Sequence, residues 1–267
     1  MGRNYSLAQL NLVKYHTWYV LSFFICLLPL PLKWVLTFSL SDKEAAGGHH
    51  YSNAYSRYLR PYKYRRIKLL EIGIGGGNSY GGGESLNSWQ MYFPFAKIVG
   101  ADIEEKSQLS NARTRIHRVD QGDDAALTGL AVEEQGFDVI LDDGSHLSKH
   151  IIGTFKVLFP WLRSGGLYIV EDTQTSYWSF EQWDGCPPQH SHFSTTALGY
   201  FTELARYINH MELPASQRQE LELSAGGRAY LDLAKEIRSI YFEHNLVIIQ
   251  KAPNEDLSNL DNLLRTI

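Results

Sequence analysis

From Ile67 onward the chain alternates short apolar runs with longer segments of helical period. IKLLEIGI (67–74), KIVGADI (97–103), RIHRVDQ (115–121), FDVILDD (137–143) and GGLYIVED (165–172) have strand length and strand composition. Residues 84–92, 123–134 and 149–162 carry apolar positions at helical spacing between several of them. Strands alternating with helices predict a parallel, doubly wound α/β sheet. A further helix is predicted around 196–210, followed by IRSIYF, a tight EHN turn and LVIIQK, which read as an antiparallel hairpin. The expected fold is therefore α/β, with a doubly wound, mostly parallel seven-stranded sheet that ends in a β-hairpin.

The region before residue 67 breaks this rhythm. Between Thr17 and Ser41 the only charged residue is Lys33, so a membrane segment has to be weighed. Pro29 and Pro31 stop a helical run near Leu28, and about eleven helical residues cover only about 16 Å of a roughly 30 Å hydrocarbon core. No small-x-small cleavage site follows the apolar run. The expectation is a pair of short helices packing on the protein or on a second subunit, with membrane association through residues 17–41 as the competing placement. The chain then divides into an apolar segment over 1–44, a main domain over 45–251 and a tail over 252–267.

Composition changes the picture little. A length of 267 residues suits one substantial core, and the net charge of -4 offers nucleic acid no global attraction. Tyrosines interleaved with Arg57, Arg60, Lys63, Arg65 and Arg66 are read as a solvated helix face, so no nucleic-acid partner is expected. Cys26 and Cys186 make neither a zinc cluster nor a disulfide framework, which points to a reducing compartment and a cytoplasmic location.

The chemistry gathers at strand ends. Glu71, Asp102, Asp120, Asp142, Asp143, Glu171 and Asp172 all fall at carboxyl ends of the five strands, the edge where open α/β sheets bind ligands. In LLEIGIGGGNSYGGGESL the G-x-G-x-x-G spacing of a dinucleotide site is broken, because Asn78 stands where the third glycine belongs. What remains is E-x-G-x-G-x-G from Glu71 through Gly73 and Gly75 to Gly77, which is similar to the first motif of S-adenosylmethionine-dependent methyltransferases. A parallel sheet closed by an antiparallel hairpin is likewise the sheet plan of class I methyltransferases. Asp102 is placed to accept the ribose hydroxyls, Asp120 and Gln121 to meet an adenine edge, and Ser85 to donate to the cofactor's carboxylate.

Two further stretches, DDGSH (142–146) and VEDTQTSYW (170–178), put Asp143 and Glu171-Asp172 at the tips of consecutive strands. Carboxylates that close repel one another unless a divalent cation neutralises them, and all-oxygen ligation favours Mg²⁺ or Mn²⁺ over zinc. His146 falls on the same rim, and imidazole is the side chain suited to moving a proton near neutral pH.

Together EIGIGG, GGGESL-x-x-W, VGADIEEKS, DQGD, FDVILDDGSH, FP-x-L-x-x-GGLYIVEDTQTSYW and I-x-x-I-x-F-x-HNLVII-x-K resemble the metal-dependent macrolide sugar 2''-O-methyltransferases, over roughly residues 41–251. The resemblance implies S-adenosyl-L-methionine and Mg²⁺ as cofactors, with Asp143, Glu171 and Asp172 as metal ligands and His146 as the base. It implies a cofactor pocket of Glu71, Gly73, Ser85, Asp102, Asp120, Gln121 and Asp142. It also implies a homo-oligomer and a small-molecule glycoside acceptor. His49, His50, Tyr51, Gln174, Tyr177, Trp178 and the loop GCPPQHSH are candidates to shape the acceptor pocket, with ordinary loop packing as the alternative for each. The rival readings are an NAD-dependent oxidoreductase, a metal-dependent hydrolase and a non-enzymatic cofactor-binding scaffold; the first loses its glycine spacing, the second leaves the glycine loop idle, and the third has no use for acids and a histidine on one rim.

Overall fold

The computed structural model describes residues 30–44, 48–75, 81–180, 182–255 and 258. The first twenty-nine residues, the cysteine at 26, the glycines at 76 and 77 and most of the tail expected over 252–267 lie outside these. Seven strands form a mixed sheet. They belong to two compact units, residues 1–144 and 145–267.

In the first unit the order is β3 (Thr114–Arg118), β2 (Lys97–Asp102), β1 (Lys68–Ile72) and β4 (Phe137–Asp142), all parallel. Both faces of the central strands are covered, so their sequences are continuous apolar runs rather than alternations. Leu69, Leu70, Ile98, Val99, Val139, Ile140 and Leu141 are all buried. The register pairs Glu71 with Gly100 on one side and with Leu141 on the other, which brings an acidic side chain into the sheet one residue before β1 ends.

Helices α1 (Leu32–Phe38), α2 (Ser52–Leu59), α3 (Glu84–Tyr92) and α4 (Asp124–Glu134) complete this unit. α1 starts directly after Pro31, which supplies fixed backbone ahead of the first turn and whose carbonyl accepts from the amides of Trp34 and Val35. Its Leu32, Val35 and Leu36 are buried, and it packs on α2 and α3. One helix of the expected pair is therefore in place; the other would fall outside the described residues. Among the described residues no helix is long and apolar enough to cross a membrane. In the Tyr-rich run Arg57, Arg60, Arg65 and Arg66 are exposed, as a solvated face requires, while Tyr55 and Tyr62 are buried and Lys63 turns inward, donating to the Leu30 carbonyl at 2.8 Å. Asp123 caps α4 through its carboxylate, which accepts from the amides of Ala125 and Ala126.

In the second unit β5 (Leu162–Val170) pairs antiparallel with β7 (Leu246–Lys251), and β7 pairs antiparallel with β6 (Ile237–Glu243). Asn245 turns the hairpin at φ 61°. α5 (Ser148–Leu158) stops earlier than the expected 162, because Pro160 cannot continue the ladder and the chain passes through a 3-10 turn, Phe159–Trp161, into β5. α6 (Ala197–Ala205) also ends short of 210. Phe155, Tyr168 and Phe201 form the centre of this unit, with both other rings edge-on to Phe155 at 5.1 Å. α7 (Ala215–Leu223) and α8 (Ala225–Ala234) were not expected. No residue of α7 is buried, so it lacks the apolar stripe that would have marked it.

Candidate active site

The end of β1 is built around Glu71, which is fully buried. Its Oε2 accepts from Ser85 Oγ at 2.8 Å and from the Trp89 indole at 3.0 Å, both on α3. Its Oε1 has no hydrogen-bond partner among the described residues and faces the Lys43 ammonium at 3.3 Å. Burial pushes the Glu71 carboxyl up to about 7, opposed by Lys43 and reinforced by Asp143, with Ser85 and Trp89 pulling downward. Ser85, expected to meet the cofactor directly, spends its proton on Glu71 instead.

Lys43 carries no sequence signal of its own, yet it is 1% exposed and its Nζ lies 2.6 Å from Asp143 Oδ2. One ammonium thus stands between the acid at the end of β1 and the acid following β4. The Asp143 amide donates to Ile72 O at 2.9 Å, fixing this crossing of the two strand ends.

The glycines explain how close that crossing is. Gly73 sits at φ 77°, and a Cβ there would lie 2.0 Å from the Asp143 carbonyl oxygen. Only a residue without a side chain lets β1 and β4 approach in this way. Gly82, at φ 79°, backs onto the carbonyls of Ile74 and Gly75, and the Gly83 amide donates to Ile74 O at 2.8 Å before α3 begins. Ile74 and Gly75 are therefore packed directly against Gly82 and Gly83. Gly75 holds φ 68°, and its carbonyl contacts the Lys106 ammonium.

Asp102, at the end of β2, accepts from the amides of Ile74 and Glu104 and from Lys106 Nζ at 2.8 Å. Lys106, four residues on and buried, thus ties the expected ribose acceptor to the glycine turn. Gln121 Nε2 donates to Asp142 Oδ1 at 2.6 Å, and both side chains are buried beside Gly144, where a Cβ would strike the Gln121 amide. Asp120 is different: it is exposed, and its carboxylate accepts from the Gly122 amide.

In the second unit His146 Nε2 stands 3.7 Å from Asp172 Oδ2. Both residues adopt left-handed backbone, which non-glycine residues seldom do and which clusters at functional sites. The Thr175 hydroxyl lies 2.8 Å from His146 O and 3.1 Å from Asp172 O, so one side chain spans both strained turns. Glu171 is buried at the end of β5. The loop after residue 182 folds back: the Asp184 carboxylate accepts from the amides of Ser148 and Lys149, and the Trp183 ring comes within 6.3 Å of the His146 ring. Trp178 meets Trp183 edge-on at 5.6 Å while keeping 37% of its surface exposed. Of the other residues expected near an acceptor, His49 stacks on the buried Tyr51 at 4.8 Å, Tyr177 stacks on Phe193 at 5.6 Å, and the His50 side chain is exposed.

Whether these groups suit a metal and a sulfonium cofactor follows from their chemistry. Asp143, Glu171 and Asp172 each offer the hard oxygen donors that Mg²⁺ and Mn²⁺ prefer, and Asp143 already accepts a cation, the Lys43 ammonium. The bare glycine backbone that follows Glu71 leaves room for a ligand to lie against the end of β1.

No protein-family model matches the chain. Mycinamicin VI 2''-O-methyltransferase of Micromonospora griseorubida is 35% identical over 210 residues, which are 78% of this chain and 49% of that protein. Demethylmacrocin O-methyltransferase of Streptomyces fradiae is 36% identical over 210 residues, covering 78% and 50%. An 8-demethyl-8-alpha-L-rhamnosyl tetracenomycin-C 2'-O-methyltransferase of Streptomyces olivaceus is 34% identical over 224 residues, covering 84% and 55%. The chain spans about half the length of the curated relatives it matches. The solved structure of the MycE methyltransferase from the mycinamycin biosynthetic pathway, in complex with Mg, SAH and mycinamycin VI, aligns with a TM-score of 0.72 at 30% identity, over 85% of this chain and 56% of that one. A second MycE structure with Mg and SAH gives 0.75 at 31% identity, over 89% and 60%. The chain is a homologue of these sugar O-methyltransferases and shares their methyltransferase fold along the half of their length that it spans.

Proposed function

We propose that the protein is an S-adenosylmethionine-dependent O-methyltransferase that acts on a sugar hydroxyl of a small-molecule glycoside. Asp143, Glu171 and Asp172 would hold Mg²⁺ or Mn²⁺, and Glu71, Gly73, Gly75, Asp102, Asp120, Gln121 and Asp142 would line the cofactor, with Ser85 supporting Glu71. The observation that carries this reading is the pairing of His146 with Asp172 at 3.7 Å on two left-handed turns. An imidazole fixed beside a carboxylate is a general base whose charged form is stabilised once it has taken a proton.

When bound, the cation supplies a Lewis acid that lowers the pKa of the acceptor hydroxyl, and S-adenosylmethionine supplies the methyl group. His146 accepts the hydroxyl proton at Nε2. Asp172 stabilises the resulting imidazolium, and Thr175 keeps the ring from drifting by anchoring the His146 carbonyl. Glu71 sets negative potential against the cationic end of the cofactor, and Asp102 takes the ribose hydroxyls. Trp178 and Trp183 offer ring faces to the acceptor and exclude water from the base.

The test is methyl transfer from S-adenosylmethionine to a panel of glycosides bearing free sugar hydroxyls, before and after exhaustive metal removal. The expected result is product with one added methyl, lost on chelation and restored by Mg²⁺. Full transfer by the metal-free protein would overturn the metal part of the reading. Absence of S-adenosylmethionine binding in calorimetry would overturn all of it.

A further inference from the structure

Lys43 is a charged group at the candidate site that neither the motifs nor the proposed reaction uses. It lies in the turn after α1, where its carbonyl accepts from the Tyr51 amide at 3.0 Å, and its side chain is 1% exposed. A buried ammonium is costly to desolvate and persists only where charge partners and hydrogen bonds compensate it. Here the compensation comes from Asp143 Oδ2 at 2.6 Å and Glu71 Oε1 at 3.3 Å.

The two partners are not equivalent. Glu71 is clamped from its other oxygen by Ser85 and Trp89, so it fixes the ammonium in place like a post. Asp143 is the less buried partner, with 18% of its side chain exposed, and it follows where the ammonium holds it. Its backbone is fixed independently through the bond to Ile72. Main chain and Oδ2 are thus both held, and the carboxylate has little freedom to rotate.

We propose that Lys43 is a specificity-determining residue of the cation site: by holding Oδ2 of Asp143 it confines that carboxylate to one-oxygen ligation and so selects Mg²⁺ against Ca²⁺. This rests on the reading of Asp143 as a metal ligand given above. The chemical basis is the difference between the two ions. Ca²⁺ gathers about six to eight oxygens and commonly takes a carboxylate through both, whereas Mg²⁺ demands octahedral geometry and usually one oxygen from each carboxylate. An ammonium fixed on one oxygen denies Ca²⁺ its two-oxygen mode and leaves the mode that Mg²⁺ uses. Lys43 touches neither the acceptor nor the reacting atoms in this scheme, so its effect is on which ion is held.

The experiment titrates metal-stripped full-length protein with MgCl₂, MnCl₂ and CaCl₂ by calorimetry, comparing wild type with Lys43→Met. The ratio of the Ca²⁺ to the Mg²⁺ dissociation constant is expected to fall at least about tenfold in the variant, a change of about 1.4 kcal/mol in relative affinity. A ratio within twofold of wild type would overturn the inference while leaving the methyltransferase reading intact. If wild type binds none of the three ions, the metal reading itself fails, and the inference falls with it. Because Lys43→Met leaves Glu71 buried without its cation, Glu71→Gln is titrated against Glu71→Gln/Lys43→Met as a second pair. A fall in the same direction, smaller because the uncharged amide at position 71 holds the ammonium less firmly, is expected there, and no fall counts against the role of Lys43.

Discussion

His146 Nε2 lies 3.7 Å from Asp172 Oδ2, and the backbones of the two residues hold φ of 57° and 54°. Each left-handed non-glycine residue costs on the order of 1–3 kcal/mol, so the second unit stores strain at both ends of this contact. The strain aims an imidazole at a carboxylate that extended or helical backbone would point elsewhere.

Replacing His146 by Ala is expected to lower single-turnover methyl transfer by about 10²–10⁴-fold, the usual contribution of general base catalysis. Binding of S-adenosylhomocysteine, measured by calorimetry, is expected to stay within a few-fold of wild type. Unchanged turnover on the true acceptor removes His146 from the base role.

Thr175 tests whether the strained pair must be tied down. Thr175→Val removes the hydroxyl that reaches the His146 and Asp172 carbonyls and is expected to cost about 1 kcal/mol in urea unfolding. Turnover is expected to drop about tenfold with KM for the acceptor little changed, and Thr175→Ser, which keeps the hydroxyl, is expected to recover most of both losses.

Gly73→Ala probes the strand crossing. The added Cβ meets the Asp143 carbonyl at 2.0 Å, and φ 77° is itself unfavourable for alanine, so a loss of about 2–4 kcal/mol in unfolding free energy is expected. Gly81→Ala is a control with open space around the new methyl, and it should lose only about 1 kcal/mol, from its positive φ. Equal losses at the two positions would show that the close approach to Asp143 is not what matters at Gly73.

Glu134 supplies a pH dependence away from the site. Burial raises its carboxyl, but hydrogen bonds from Lys68 and His117 and the charges of Lys68 and Arg115 outweigh that and hold it below the ordinary carboxylate value of 4.5. A folded pKa below the unfolded one means stabilisation that is present above about 4.5 and is lost as pH falls through the folded value. Glu134→Gln is therefore expected to be less stable than wild type at pH 7, with the gap closing as urea unfolding is repeated toward pH 3. A gap independent of pH would show that the charge on Glu134 contributes nothing.

The strands were legible because a parallel sheet covered on both faces writes itself as uninterrupted apolar runs, and the predicted ends of β1, β2 and β4 fall within two residues of those observed. The positions of Asp102 and Asp142 were legible for the same reason: they are the last residues of β2 and β4, and acids standing at strand ends are conspicuous. Lys43 was not legible. Its partners lie 28 and 100 residues along the chain, and a single lysine in a polar turn has no period to betray it. Lys106 could have been found, since it stands four residues after Asp102 within one motif. The helix α7 stayed hidden because it buries nothing, and the packing of Gly82 on Ile74 and Gly75 because contact between loops leaves no mark on spacing.

The Thr173 amide, next to Asp172, donates to the carbonyl of Asn245 in the β6–β7 turn. On a translating ribosome the loop carrying Glu171 and Asp172 emerges some seventy residues before that acceptor is made, and β5 waits as long for β7. Glu171 and Asp172 are then outside the tunnel while their loop still lacks this support. Late pairing of this kind is slow because a long segment must close first. The nascent chain therefore exposes an unpaired apolar edge at β5 for seconds, at usual synthesis rates, and gains its supported acidic loop only as the last hairpin is delivered.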